Sequence, residues 1–273
     1  MLVLMMLLVV GGIALAQAVS SPHQVTLRWF RLGGIIAVAL LAIAATILLI
    51  DKEDSSVRLF WVDFCLTCIA VCSQLIFAQL GRRFEQRAMA IIAFAACTDT
   101  IVYTMQIGLL THSPDSPPHW PVVFWAFGAA MPSPVLAFVA PLSAGLIGGF
   151  LMTMLLGHAY LTAAGQMTQA PFRRLVIMLA WLLGIRGIAT FSFGLYPFIT
   201  ASGHTGEMWN VLMIIVRCLV GLGVPAVFTW MIYDCVNRRS NQSATGILYV
   251  TVILVIIGEV VALVLLRSSG GVF

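Results

Sequence analysis

The chain has 273 residues, of which 61% are hydrophobic and only 9% charged. Soluble domains carry about 25% charged residues, so these values exclude a water-soluble fold and leave little mass for an enzyme with its own soluble domain. The net charge of +4 is carried almost entirely by arginines in short loops between apolar stretches, which reads as membrane topology and excludes a nucleic-acid surface.

A bilayer-crossing helix needs about 20 apolar residues. Eight stretches meet that length: Leu2–Val19, Leu32–Ile50, Leu59–Leu80, Ala88–Leu110, Ser143–Gly165, Leu175–Ile199, Met208–Tyr233 and Ala244–Leu266. The expected fold class is therefore all-α, a polytopic transmembrane helix bundle forming one integral membrane domain over residues 1–273. Ala14-Leu15-Ala16 in the first stretch resembles a signal-peptide cleavage site, but the basic segment such a peptide requires is missing. The first stretch is read as a retained span.

Loop charges orient the bundle. Arg28 and Arg31 follow the first span, Arg82, Arg83 and Arg87 the third, Arg173 and Arg174 the fifth, and Arg238 and Arg239 the seventh. The intervening loops carry Asp51, Glu53 and Asp54 with Lys52 and Arg58, then Asp115, then Glu207. Short arginine-bearing loops stay cytoplasmic, so both termini are expected outside a bacterial-type cytoplasmic (inner) membrane.

Parity also decides the stretch 120–141. Its apolar length would suffice for a span, yet a ninth crossing would put Arg173 and Arg174 outside. Pro121, Pro132, Pro134 and Pro141 break helical structure, so a proline-broken re-entrant or interfacial segment is expected there. Trp120 and Trp125 suit headgroup level. The segment is either a lid over the bundle or a loop packed on the helix ends.

Arg82-Arg83-Phe84-Glu85-Gln86-Arg87-Ala88 and Arg238-Arg239-Ser240-Asn241-Gln242-Ser243-Ala244 share R-R-x-x-Q-x-A. A four-plus-four duplication, 1–110 and 143–273, would explain that weak echo as a pair of parallel repeats.

Ionisable residues inside spans cost roughly 2.5–3.5 kcal/mol each near the helix centre and face a partner, water or a ligand. A rise of about 1.5 Å per residue converts position into depth from the cytoplasmic end. Asp99 and Arg186 both come out about 16 Å deep, Glu259 about 22 Å, Arg217 about 24 Å and Asp63 about 25 Å. Matched depth predicts two ion pairs, Asp99 with Arg186 and Glu259 with Arg217, leaving Asp63 as a further acid. Tyr103 and Gln106 follow Asp99 at i+4 and i+7 on one helix face, the pattern of a wet cavity wall or of hydrogen bonds between helices. His158 is placed about 10 Å deep, close to Tyr160, as a proton relay, a quinone contact or a packing histidine.

A haem held by two histidines of this chain is disfavoured, because His23, His112, His119 and His204 all fall in loops. His112, Asp115, His119, His204 and Glu207 share the outer face and have the ligand chemistry of a zinc or copper site, although the loop composition is also that of an ordinary solvated loop. Cys65, Cys68 and Cys72, at i, i+3 and i+7, read as helix packing. The six cysteines make no disulfide or zinc-ribbon frame, and no nucleotide motif is present. Gly145-x-x-x-Gly149 and Gly221-x-Gly223-x-Pro225 should permit close helix approach, with a kink near Pro225.

Together these positions suggest a membrane subunit of an electron-transfer or proton-translocating complex, with the buried polar residues contacting a quinone or relaying protons. Redox centres would then be held by other subunits. A small-solute or ion transporter with an arginine-lined site is the second expectation, and a membrane scaffold or assembly factor the third.

Overall fold

A computed structural model describes residues 1–21, 23–50, 58–112, 125–126, 129–130, 134–162, 168–196 and 208–269. Eight helices among them are long and apolar enough to cross a membrane. We number them α1 (Leu2–Val19), α2 (Leu27–Ile50), α3 (Arg58–Leu80), α4 (Arg83–His112), α5 (Pro134–Thr162), α6 (Ala170–Leu195), α7 (Met208–Asn237) and α8 (Asn241–Ser269). The described set also contains a two-residue antiparallel pair that puts Trp125 opposite Ala130.

Several helices begin earlier than hydropathy suggests, because charge and proline are well placed in a first turn. Arg28, Arg31, Arg83, Arg87, Arg173 and Arg174 lie in the opening turns of α2, α4 and α6 rather than in loops. Pro134 opens α5, where its missing N–H would be unbonded in any case. The fifth span thus starts nine residues before the expected Ser143 and takes in Pro141. Residues 134–141 are therefore helical and continuous with α5. The rest of the expected re-entrant segment, apart from the two-residue pair, lies outside the described residues.

The hydrophobic core draws residues from all eight helices, from Leu4 of α1 to Leu266 of α8. α1 packs against α5, α4 and α2, while α8 packs against α5 and α7. The crossing of α1 and α5 is backbone on backbone. A Cβ placed on Gly148 would fall 2.5 Å from the carbonyl carbon of Gly12 and from the backbone nitrogen of Ile13. The seat is Gly148 against Gly12, not the Gly145 and Gly149 of the sequence motif, whose neighbours are leucine and methionine side chains.

Polar ties lock the end that carries the arginines. Gln17 is fully buried and donates to the Phe30 carbonyl (3.0 Å), while its own amide oxygen accepts from Gln74 and from Gln86 (3.3 Å). That junction of α1, α3 and α4 with α2 satisfies three glutamines that would otherwise be unbonded in an apolar interior. Arg31 donates to the carbonyls of Ala78 and Gln79 at the end of α3, and Arg87 to Ala18 at the end of α1. The Trp29 indole donates to Met152 (3.1 Å), tying α2 to α5.

The two arginine-bearing turns are built alike but out of step with the sequence echo. After α3, Gly81 takes the left-handed position (φ 73°) and Arg82 N–H returns to the Phe77 carbonyl. After α7, Arg239 takes that position (φ 58°) and Ser240 N–H returns to Cys235. The turns therefore superpose Gly81 on Arg239, whereas R-R-x-x-Q-x-A pairs Arg83 with Arg239.

Candidate functional site

The buried charge lies where α5, α6, α7 and α8 meet. Arg217 reaches across to Glu259, with Nη2 2.8 Å from Oε1, and Arg186 approaches the other carboxylate oxygen, Nη2 to Oε2, at 3.6 Å. Both arginines and the glutamate are at most 2% exposed. Arg186 also donates through Nε to Ser143 Oγ (3.2 Å) and through Nη1 to Thr190 Oγ1 (3.0 Å), and Ser143 in turn is hydrogen-bonded to the Glu259 carboxylate. Among the described residues, one carboxylate thus faces two guanidiniums.

Arg217 holds the shorter ion pair but is short of hydrogen-bond partners. Its Nε and Nη1 are buried and have no hydrogen-bond partner among the described residues. Nη1 is hemmed in by a second backbone contact, Gly221 of α7 against Gly258 of α8. A Cβ on Gly221 would lie 2.6 Å from the Gly258 Cα and 3.3 Å from Arg217 Nη1. At the centre a cavity of about 10 Å³ is bordered by Ser143, Arg186 and Glu259, room for one water at most.

Both arginines precede a widened turn. α6 becomes a π-helix over Thr190–Leu195, starting at the residue Arg186 bonds, and α7 does so over Leu219–Gly223. In α7 the cause is local: Pro225 has no N–H to give to the carbonyl one turn back, so the ladder slips by one residue before the α-helix resumes at Val224. The kink expected near Pro225 is this turn. π segments of this kind occur frequently at functional sites.

Beside the charged centre, α6 and α7 enclose a cleft of about 790 Å³. Its walls are apolar, with Trp181, Gly184 and Gly187 from α6 and Cys218, Leu222 and Trp230 from α7. It opens on the outside of the bundle, where Trp181 and Trp230 are 69% and 70% exposed. The α7 turn that sends Arg217 inward sends Cys218 and Leu222 into this wall. Sequence reading missed the cleft, although Gly184 and Gly187 on α6 opposite Gly223 on α7 were a legible sign of it.

The remaining sequence-derived residues are scattered. Arg186 is paired with Glu259 and not with Asp99, which makes no ion pair among the described residues. Asp99 is exposed on α4, close enough to the partly exposed Asp63 of α3 to interact electrostatically. Tyr103 stacks on Phe60 at 6.4 Å, and Gln106 continues the helix with its side chain outside the described residues. Asp63, Asp99 and Tyr103 lie on α3 and α4, Asp99 exposed and the other two partly so, separate from the arginine centre. His158 is exposed near the end of α5. Tyr160 is a tie, its hydroxyl donating to the Thr168 carbonyl and its ring stacked on Phe172. The expected ladder from His158 upward is therefore not continuous.

Of the metal set, Asp115, His119, His204 and Glu207 lie outside the described residues, and so does the side chain of His112. Among the described residues no group of three or more His, Cys, Asp or Glu side chains could hold a metal ion. Cys65 and Cys72 are exposed free thiols on α3 and Cys68 is half-buried, so the expected helix packing does not hold for Cys65 and Cys72.

No family model, curated protein or solved structure matches the chain. The fold defines its class, a multi-pass integral membrane protein with eight candidate spans, and its function is argued from the site alone.

Proposed function

We propose that this protein is a membrane subunit of an electron-transfer or proton-translocating complex of a bacterial-type inner membrane, and that it takes a quinone-class ligand from the bilayer through the cleft between α6 and α7. The cleft carries this reading. It is apolar, large enough for a ring and part of a chain, and open toward lipid, as a lipid-soluble ligand requires. The wall includes Trp181, Trp230 and Tyr233, whose N–H and O–H groups suit the two carbonyl oxygens of a quinone, while the Thr229 hydroxyl is given to the Pro225 carbonyl. The arginine centre behind the wall would favour the negative charge that develops on such a ring when it is reduced. Catalytic redox groups would belong to other subunits.

The test uses two glycines. A Cβ on Gly184 or Gly187 would meet nothing within 4 Å, and both glycines line the cleft, so Gly184→Phe and Gly187→Leu should fill it. Protein purified in mild detergent should yield bound quinone on solvent extraction and mass spectrometry. The filled variants should retain roughly a tenth or less, a penalty of about 1.4 kcal/mol or more, with a melting temperature no lower than the parent's. Absence of quinone from the parent protein, or equal content in the filled variants, would refute the proposal.

A second reading, a transporter holding an anionic solute between Arg186 and Arg217, draws support from the π turns beside both arginines. Such turns allow a helix to change register. It requires positions around Arg186 to be labelled from each side of the membrane in turn, and labelling from a single side would eliminate it.

A further inference from the structure

At the end of the bundle where α6 begins and α7 finishes, a second cavity of about 470 Å³ is bordered by Gln169, Arg173, Arg174, Ile177, Asn237 and Arg239. Four other arginines at this end are already engaged. Arg31 and Arg87 cap helix carbonyls, Arg82 pairs with Glu85 (2.6 Å), and Arg238 pairs with Asp234 (2.9 Å). Arg173, Arg174 and Arg239 meet no carboxylate among the described residues. Arg173 donates to the Tyr233 hydroxyl (3.2 Å) and sits over its ring, and Arg174 donates to Gln24 (3.2 Å). The connecting residues 163–167, Ala-Ala-Gly-Gln-Met, contribute no acid. Three cations therefore border one cavity without a counter-charge.

Arg239 adds an independent observation. It occupies the left-handed position of a helix-ending turn, with its N–H on Val236 (3.1 Å) and Ser240 N–H on Cys235 (2.9 Å). Glycine is the usual residue there, because a Cβ is strained in that conformation, and the corresponding turn after α3 uses Gly81. Strain of this kind persists where the side chain is required. Here the side chain that costs the strain borders the arginine cavity.

The cavity adjoins the bilayer-facing cleft, with Ile177 lining both. A basic pocket beside an apolar groove matches a molecule with a phosphate at one end and a hydrocarbon chain at the other. We propose that Arg173, Arg174 and Arg239 bind the phosphate headgroup of an anionic phospholipid, one of whose acyl chains lies in the cleft between α6 and α7. The headgroup pocket stands apart from the quinone reading, whereas the acyl chain and a quinone would compete for the cleft.

The full-length protein in detergent is titrated with phosphatidylglycerol, with phosphatidylcholine of the same chains, and with inorganic phosphate, and binding is followed by native mass spectrometry and by the rise in melting temperature that a native-state ligand produces. Phosphatidylglycerol should bind and raise the melting temperature, and the other two should do neither. Arg173→Gln with Arg174→Gln should weaken phosphatidylglycerol binding at least about tenfold, while Arg82→Gln with Arg83→Gln should leave it unchanged. Arg239→Gly gives a second readout: it should melt higher than the parent without lipid, because strain is relieved, yet bind phosphatidylglycerol more weakly. A purely structural arginine would give the higher melting temperature with no loss of binding. An equal response to phosphatidylcholine would overturn the charge assignment, and an equal response to inorganic phosphate would transfer the pocket to a soluble anion. Unchanged phosphatidylglycerol binding in both the Arg173/Arg174 and Arg239 variants would overturn the site itself.

Discussion

Glu259→Gln is expected to destabilise the protein by about 3–5 kcal/mol, the typical cost of removing one partner from a buried ion pair. The substitution is nearly isosteric, so the loss measures charge and not volume. Glu259 is the sole carboxylate contacting Arg186 and Arg217 among the described residues, and its removal leaves two guanidiniums in an interior with space for one water. Arg217 is already short of partners at Nε and Nη1 and would then lose its shortest contact. Unfolding of the purified protein in mixed micelles would measure the effect. Asp99→Asn, on the exposed face of α4, should stay within about 0.5 kcal/mol of the parent in the same assay. Equal stability of Glu259→Gln and the parent would show that the pair does not hold these helices together.

The triple replacement Arg186→Met, Arg217→Met, Glu259→Met separates packing from function. Buried ion networks exchanged for apolar side chains of similar volume are often neutral or more stable by about 1–4 kcal/mol. A triple variant that folds stably but has lost quinone, or alternating access, would assign the charge to function. A triple variant that keeps whatever activity the parent shows would make the centre a packing device.

The spans were legible in the sequence because each needs its own uninterrupted apolar run, a signal that does not depend on tertiary context. Their ends were not, because hydropathy counts Arg173 or Pro134 as loop-like while a helix accepts both in its first turn. The arginine centre was legible in part, for a related reason. Counting residues along a helix gives depth, and depth correctly joined Arg217 to Glu259. It gives no azimuth about the helix axis. Asp99 matched Arg186 in depth but faces outward on α4, whereas Arg186 faces inward from α6. The partner Arg186 does use, Glu259, stood roughly 6 Å away in the same reckoning, a gap that a long arginine side chain spans. The Gln17 junction was overlooked because single glutamines in α1, α3 and α4 carry no charge to draw attention. Their common place near the arginine-bearing helix ends was the available clue.

A large packing effect is expected at Gly148. Gly148→Ala should destabilise the bundle by about 3 kcal/mol or more, at or beyond the upper end of ordinary overpacking. The atoms a new Cβ would strike belong to the α1 backbone, with Gly12 and Ile13 2.5 Å away, and no rotamer change can clear them. α1 and α5 would have to separate, and with them the interface through which α1 joins the second half of the chain. Two neighbouring substitutions grade the effect. Gly149→Ala meets the ends of the Leu179 side chain at 2.9 Å and the Met178 side chain at 3.4 Å, both of which can rotate away, so its cost should be clearly smaller. Gly184→Ala meets nothing within 4 Å and should stabilise α6 by roughly 0.5–1 kcal/mol, since glycine is the poorer helix former. The expected order of melting temperatures is Gly184→Ala above the parent, then Gly149→Ala, with Gly148→Ala lowest. If Gly148→Ala melted with the parent, α1 and α5 could not be in backbone contact, and the placement of Ser143 toward the arginine centre by α5 would have to be redrawn.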